Sequence, residues 1–178
     1  MAEIVIYPDK RLLQVCKDCE VGDKSLVRLA KEMAKQMYNN FGVGIAAPQI
    51  GDDRRIIVVD CSYDIENKNT RDPLILVNPK IVETKGQAEI GEEGCLSCPG
   101  ISVPISRPPW VKVRYFDLDG AEWEIEADEL LGRCLQHEID HLDGKTLFES
   151  CSGTARLKAI ADFELAKKAG ARPGETSI

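Results

Sequence analysis

Basic residues are in deficit: the 178-residue chain carries 23 Lys and Arg against 30 Asp and Glu, for a formal net charge of −7. A nucleic-acid backbone is bound through a basic footprint, so direct nucleic-acid binding is not expected. Long hydrophobic runs are missing too, and none approaches the length of a bilayer span. The opening MAEIVIYPDK lacks a charged leader followed by an apolar block. Neither secretion nor a membrane anchor is expected, and the reading is a cytoplasmic protein. No internal repeat and no low-complexity linker interrupts the chain. The seven cysteines are an odd number with no secretion signal beside them, and they read as reduced thiols rather than disulfide staples. Histidine is scarce as well. There are two, and both sit in CLQHEIDHLDG, Cys134 to Gly144.

What is present reads as an ordinary globular protein, 43% hydrophobic and 30% charged. This length suits one domain with a core of its own, placed at residues 1–170, with ARPGETSI (171–178) as a flexible tail. Leu26, Leu29, Ala30, Met33, Ala34, Met37 and Tyr38 recur at helical spacing between Ser25 and Asn40, and Gly42 follows as a stop. Three β-like runs come next, RRIIVVDC (54–61), LILVNPKIVET (74–84) and WVKVRYFDL (110–118). Asp119-Gly120 joins the last to AEWEIEA, a hairpin pattern. A helix is predicted from Glu129 to Leu142, with Asp128 as N-cap and Gly144 just past the end. A final helix is predicted from Thr154 to Lys168. Strands and helices do not alternate as βαβ units, so the expected class is α+β with mostly antiparallel sheets. SYDIENKNTRDP (62–73) reads as a loop extension of unknown use.

On a helix, residues i and i+4 share one face a turn apart, so His137 and His141 can aim two imidazoles at one ion. Glu138 is turned about 100° from the first histidine, within reach of a water on that ion. This is the H-E-x-x-H arrangement of two ligands and a general base. Leu130, Leu131, Cys134 and Leu135 put the apolar side of the helix next to the histidines, which therefore point inward, where unpaired imidazoles are costly. A catalytic metal takes a third protein ligand and keeps one position open. Residue chemistry leaves two candidates: Cys95 in GEEGCLSCPG, and Glu164 on the last helix, as in thermolysin-like zinc proteases. A separate arrangement joins Cys16 and Cys19 to Cys95 and Cys98 as four thiolates around a structural zinc.

Three separated segments, GVGIAAPQ (42–49), EGCLS (93–97) and QHEIDH (136–141), together resemble the peptide deformylase family, which reads G-x-G-x-A-A-x-Q, E-G-C-L-S and H-E-x-x-H. IYPDKRL near the start, LVNPKI (76–81), VKVRYFDLDG (111–120) and HLDGKTLF (141–148) extend the resemblance over residues 4 to 150. It implies an α+β fold in which antiparallel sheets pack around a central metal-binding helix, with an N-terminal and a C-terminal helix. It also implies Cys95, His137 and His141 as metal ligands, with a water in the fourth position. One ion per chain is implied, Fe(2+) foremost, with Zn(2+), Ni(2+) or Co(2+) suited to the same donors.

The implied activity removes the N-formyl group from the formylmethionine of new polypeptides. Metal-bound water attacks the formyl carbon, Glu138 serves as general base and acid, and Gln49 and the Leu96 N–H steady the oxyanion. Gly44 would meet the substrate backbone. Val43, Ile45 and Cys134 would make an apolar pocket for methionine. Arg107 belongs to the substrate side of the site and, with Glu93 and Asp140, matches charges that orient ligands. The implied partners are N-formylmethionyl nascent peptides, with transient ribosome contact. ESCSGTARLKAIADFELAKKAG departs, however, from the basic C-terminal helix of well-studied bacterial members.

Overall fold

β2 (Ile56–Val59) is buried at all four positions, which a strand achieves when both faces of its sheet are covered. Ile57 and Val59 face a cluster built with Leu135, Ile139 and Leu142; Ile56 and Val58 face another built with Leu26, Met33 and Met37. The two-residue alternation of the strand thus divides the core into two halves, one on each side of the sheet. The structure, a computed structural model, describes residues 3–151 and 153–177.

That sheet has five strands in the order β1-β2-β3-β6-β7, with β1 (Gly44–Ala46), β3 (Leu74–Lys85), β6 (Trp110–Phe116) and β7 (Glu122–Asp128). Every neighbouring pair is antiparallel. β3 pairs with β2 through Leu74–Val77 and with β6 from Val77 onward, and the β3–β6 register shifts between Val77 and Lys80 and between Ile81 and Glu83. β6 and β7 form the hairpin expected at Asp119-Gly120, where Gly120 adopts a φ of +88°.

α1 (Ser25–Asn39) lies against β1 and β2 and buries Leu26, Leu29, Ala30, Met33 and Met37, the stripe read from the sequence. α2 (Glu129–Leu142) begins and ends where expected and lies along the sheet against β1, β2, β3, β6 and β7. Asp128 sits at its N-cap without a side-chain hydrogen bond to the helix, unlike the expected cap. Gly132 brings α2 close to the end of β7, since a Cβ there would lie 2.9 Å from the Ala127 carbonyl oxygen. The mixed helical and antiparallel architecture is the α+β class expected.

A second sheet was not anticipated: β4 (Glu89–Glu93) pairs with β5 (Val103–Arg107). The apolar residue of β4, Ile90, faces solvent, and Pro104 interrupts β5, so neither strand announces itself. With α3 (Leu147–Ser150) and α4 (Gly153–Lys168), this sheet encloses a third cluster that includes Cys98, Ile105, Phe148 and Phe163. The segment after α4, expected to be a flexible tail, folds back onto this unit: the Gly100 N–H donates to the Glu175 carbonyl at 2.8 Å. Among the described residues no helix is long and apolar enough to cross a membrane.

Candidate metal centre and active site

Each site segment comes from a different element, and α2 forms the floor. Its i, i+4 spacing stacks His137 above His141 with ring centroids 5.0 Å apart. Cys95, in the loop after β4, reaches the same point, with its Sγ 3.3 Å from His141 Nε2. The candidate ligand atoms of Cys95, His137 and His141 all lie within 4.8 Å of one another, and among the described residues no other His, Cys, Asp or Glu set converges in this way.

His137 Nδ1 lies 2.9 Å from Glu93 Oε2. Donation to that carboxylate fixes the tautomer and leaves Nε2 as the free donor atom. Glu93 is held in turn by a bidentate Arg107, Nε at 2.6 Å and Nη2 at 3.0 Å, and by Arg133 Nη1 at 2.9 Å. Arg107 also donates to Asp140 at 2.9 Å. Burial would raise the Glu93 carboxyl, but its bonds to His137 and Arg107 outweigh burial and hold its pKa at about 2. Arg107 is therefore a buried positioning residue rather than a wall of the cleft, a correction to its reading as a substrate contact. Arg133 escaped the sequence reading, although it precedes His137 by one helical turn on the same face.

The electrostatics favour a cation. Burial pulls His137 down, but Cys95, Glu93 and Glu138 around it push it well above its ordinary value. The Cys95 thiol is held well below its usual range by a hydrogen bond from the Cys98 thiol and by His141, against the effect of burial. A thiolate and two imidazoles are donors suited to a divalent transition metal. Glu138, on the floor beside them, is 4% exposed, and its Oε2 is buried without a hydrogen-bond partner. That buried orphan is what a carboxylate waiting for water or substrate would show. Burial raises its pKa from 4.5 to about 7.

Gln49 faces the same point. Its Oε1 accepts from the Ala46 N–H at 2.9 Å, which identifies the oxygen and turns Nε2 toward Cys95 Sγ at 3.5 Å and Ser97 Oγ at 3.2 Å. Gly44 approaches α2 so closely that a Cβ would lie 2.5 Å from Glu138 Oε1 and 2.6 Å from Cys134 Sγ. Val43, Gly44, Leu96 and Cys134 line the cleft, and Ile45 does not. Ile45 is fully buried against α1, because its neighbour Gly44 takes the face of β1 that looks at α2. Phe41, Leu130 and Gly94 line the cleft without having been anticipated. Tyr63, from the 62–73 extension, donates to the Gly42 carbonyl at 3.0 Å and so props the cleft wall.

The rival ligand sets are not assembled. Cys16 and Cys19 sit in separate core clusters, and burial raises both thiols to about 11. Glu164 is exposed on α4 and outside the convergent set.

A family model described as polypeptide deformylase matches residues 1–156. The chain belongs to the peptide deformylase family. A peptide deformylase of Hydrogenovibrio crunogenus is 46% identical over 94% of this chain and 96% of its own, and one of Methylocella silvestris is 42% identical over 95% and 86%. Among solved structures, a peptide deformylase from Legionella pneumophila superposes with a TM-score of 0.85 at 38% identity, covering 96% of this chain and 97% of its own. One from Synechococcus elongatus, in complex with actinonin, gives 0.84 at 36% identity, covering 97% and 92%. As in other peptide deformylases the chain is an enzyme, and the convergent Cys95, His137 and His141 form a set that could hold a metal ion.

Proposed function

We propose that this chain hydrolyses the N-formyl group from the formylmethionine of new polypeptides, with Cys95, His137 and His141 holding one divalent ion. The observation that carries the reading is the convergence of that ligand set with an unpartnered, raised Glu138 and the Gln49 amide on one point of the cleft. We take the ion to be Fe(2+); Zn(2+), Ni(2+) and Co(2+) suit the same donors. When bound, it would supply Lewis acidity for an acyl-transfer reaction.

The chain's own groups account for the rest. Glu138 takes the proton from the attacking water and delivers it to the departing amine nitrogen. A carboxyl whose pKa lies at about 7 is suited to both transfers. Gln49 Nε2 and the Leu96 N–H donate to the oxygen as negative charge builds there, each lowering the barrier by about 3 kcal/mol. Glu93, steadied by Arg107 and Arg133, keeps His137 in the ligating tautomer. Val43, Leu96 and Cys134 offer apolar surface to an unbranched methionine side chain. Gly44 lets the substrate backbone come close, since it adds no side chain to a wall already touching Glu138. The enzyme's partners are N-formylmethionyl nascent chains met transiently at the ribosome in the cytoplasm.

Formyl-Met-Ala-Ser is expected to be hydrolysed and acetyl-Met-Ala-Ser to be disfavoured by about 10- to 200-fold in kcat/KM, because a packed site resists the added methyl. Cleavage of an internal peptide bond with formyl-Met-Ala-Ser left intact would point to an endopeptidase and sink the proposal.

A further inference from the structure

Residues 174–177 close one end of the active-site cleft. Gly174 and Thr176 line it together with Phe41, Gly42 and Gly94. Gly174 has a φ of +89° and packs on the end of α1 so tightly that a Cβ would lie 2.2 Å from the Asn40 carbonyl oxygen. Only glycine suits that position. The next residues are fastened to the other flank: the Gly100 N–H donates to the Glu175 carbonyl at 2.8 Å, and the Ser102 N–H donates to Ser177 Oγ at 2.9 Å. Between these anchors Thr176 lays its methyl against Gly94, where an added Cβ would be 2.7 Å from Thr176 Cγ2. A turn closed by the Arg172 N–H on the Glu175 carboxylate at 2.8 Å sets up the approach. The segment is a strap joining the Asn40–Gly42 wall to the Gly94–Ser102 loop.

The formyl end of a peptide has to reach Glu138 and Gln49 on the floor. The remainder leaves past the more exposed lining residues, Phe41, Leu130 and Thr176, with Arg133 and Gly174 half-buried beside them. Resting on the deformylase reading above, we propose that residues 174–176 are the outer edge of the peptide-binding cleft and contact the substrate beyond its methionine, setting preference among nascent chains. The fastened backbone makes this edge preorganised, so it contributes to binding without first having to be ordered.

Thr176→Glu places a carboxylate at this edge and keeps the strap. The ratio of kcat/KM for formyl-Met-Ala-Lys over formyl-Met-Ala-Glu should then rise about three- to fivefold above wild type, mainly through KM, as befits an exposed charge pair. A ratio that stays at the wild-type value overturns the proposal. Ending the chain after Arg172 should lower kcat/KM on formyl-Met-Ala-Ser-Lys about tenfold more than on formyl-Met-Ala, the effect of a lost backbone contact. Equal losses on the two peptides make the strap a structural prop and overturn the proposal as well. A wild-type chain that leaves even formyl-Met-Ala intact overturns the deformylase reading itself, and this inference with it.

Discussion

Glu138 has one buried carboxylate oxygen without a partner, and that single atom has two measurable consequences. As the proton carrier it should be irreplaceable by an amide: Glu138→Gln is expected to retain the metal and lose about 10²- to 10⁴-fold in kcat, checked by metal analysis beside turnover. As a buried acid in the metal-stripped protein, its pKa stands raised from 4.5 to about 7. The folded state then binds the proton more tightly than the unfolded one. Its stabilising contribution is complete below about pH 4.5 and is lost as pH rises through about 7. Melting temperatures of the stripped protein across that range should fall less steeply for Glu138→Gln, and parallel curves would contradict the assignment. The position of Glu138 beside both histidines was legible in the sequence, because H-E-x-x-H on a helix fixes its angle to them. Ile45 was misplaced as a pocket residue for want of strand alternation: once Gly44 faces α2, its neighbour has to face α1. Ser97 and Arg133 hold Gln49 and Glu93 in place, yet a lone Ser or Arg carries no distinguishing spacing.

Between elements, the decisive contact is the approach of β1 to α2. A methyl group at Gly44 would have to displace Glu138 or Cys134, and it would meet them on a strand fixed by β2 and a helix fixed by five strands. Gly44→Ala should therefore lower kcat/KM about 10- to 100-fold with one metal per chain retained, the cost of shifting a catalytic group by a fraction of an ångström. Wild-type activity in this variant would mean that the two elements yield freely. α1 and α2 were readable because burial of one face imposes a period, and the β6–β7 hairpin because Asp119-Gly120 marks its turn. β4 and β5 were not, because the first exposes its one large apolar side chain and the second carries a proline. The candidate ligand Cys95 follows β4, so the site's position in the fold was less legible than its residues.

At the scale of the whole molecule, three clusters of core residues meet around one acidic and arginine-rich network. The large sheet supplies Gln49 and Gly44 through the segment at its β1 edge, α2 supplies the histidines and Glu138, and the smaller unit supplies Cys95 and Glu93. Composition gives an acidic chain with no bilayer-length apolar run. It carried no information on the strap at 174–177, whose small and polar residues look like any solvated end and are organised by the hydrogen bonds of Gly100 to the Glu175 carbonyl and of Ser102 to Ser177 Oγ. The central proposal is that Cys95, His137 and His141 hold a single metal required for hydrolysis of formylmethionyl peptides. The direct measurement is metal content per chain after purification without oxygen, taken beside turnover of formyl-Met-Ala-Ser before chelation, after it, and after Fe(2+) is returned. One ion per chain, loss of turnover with the ion and recovery on its return are expected; full turnover by the metal-free chain would contradict the proposal.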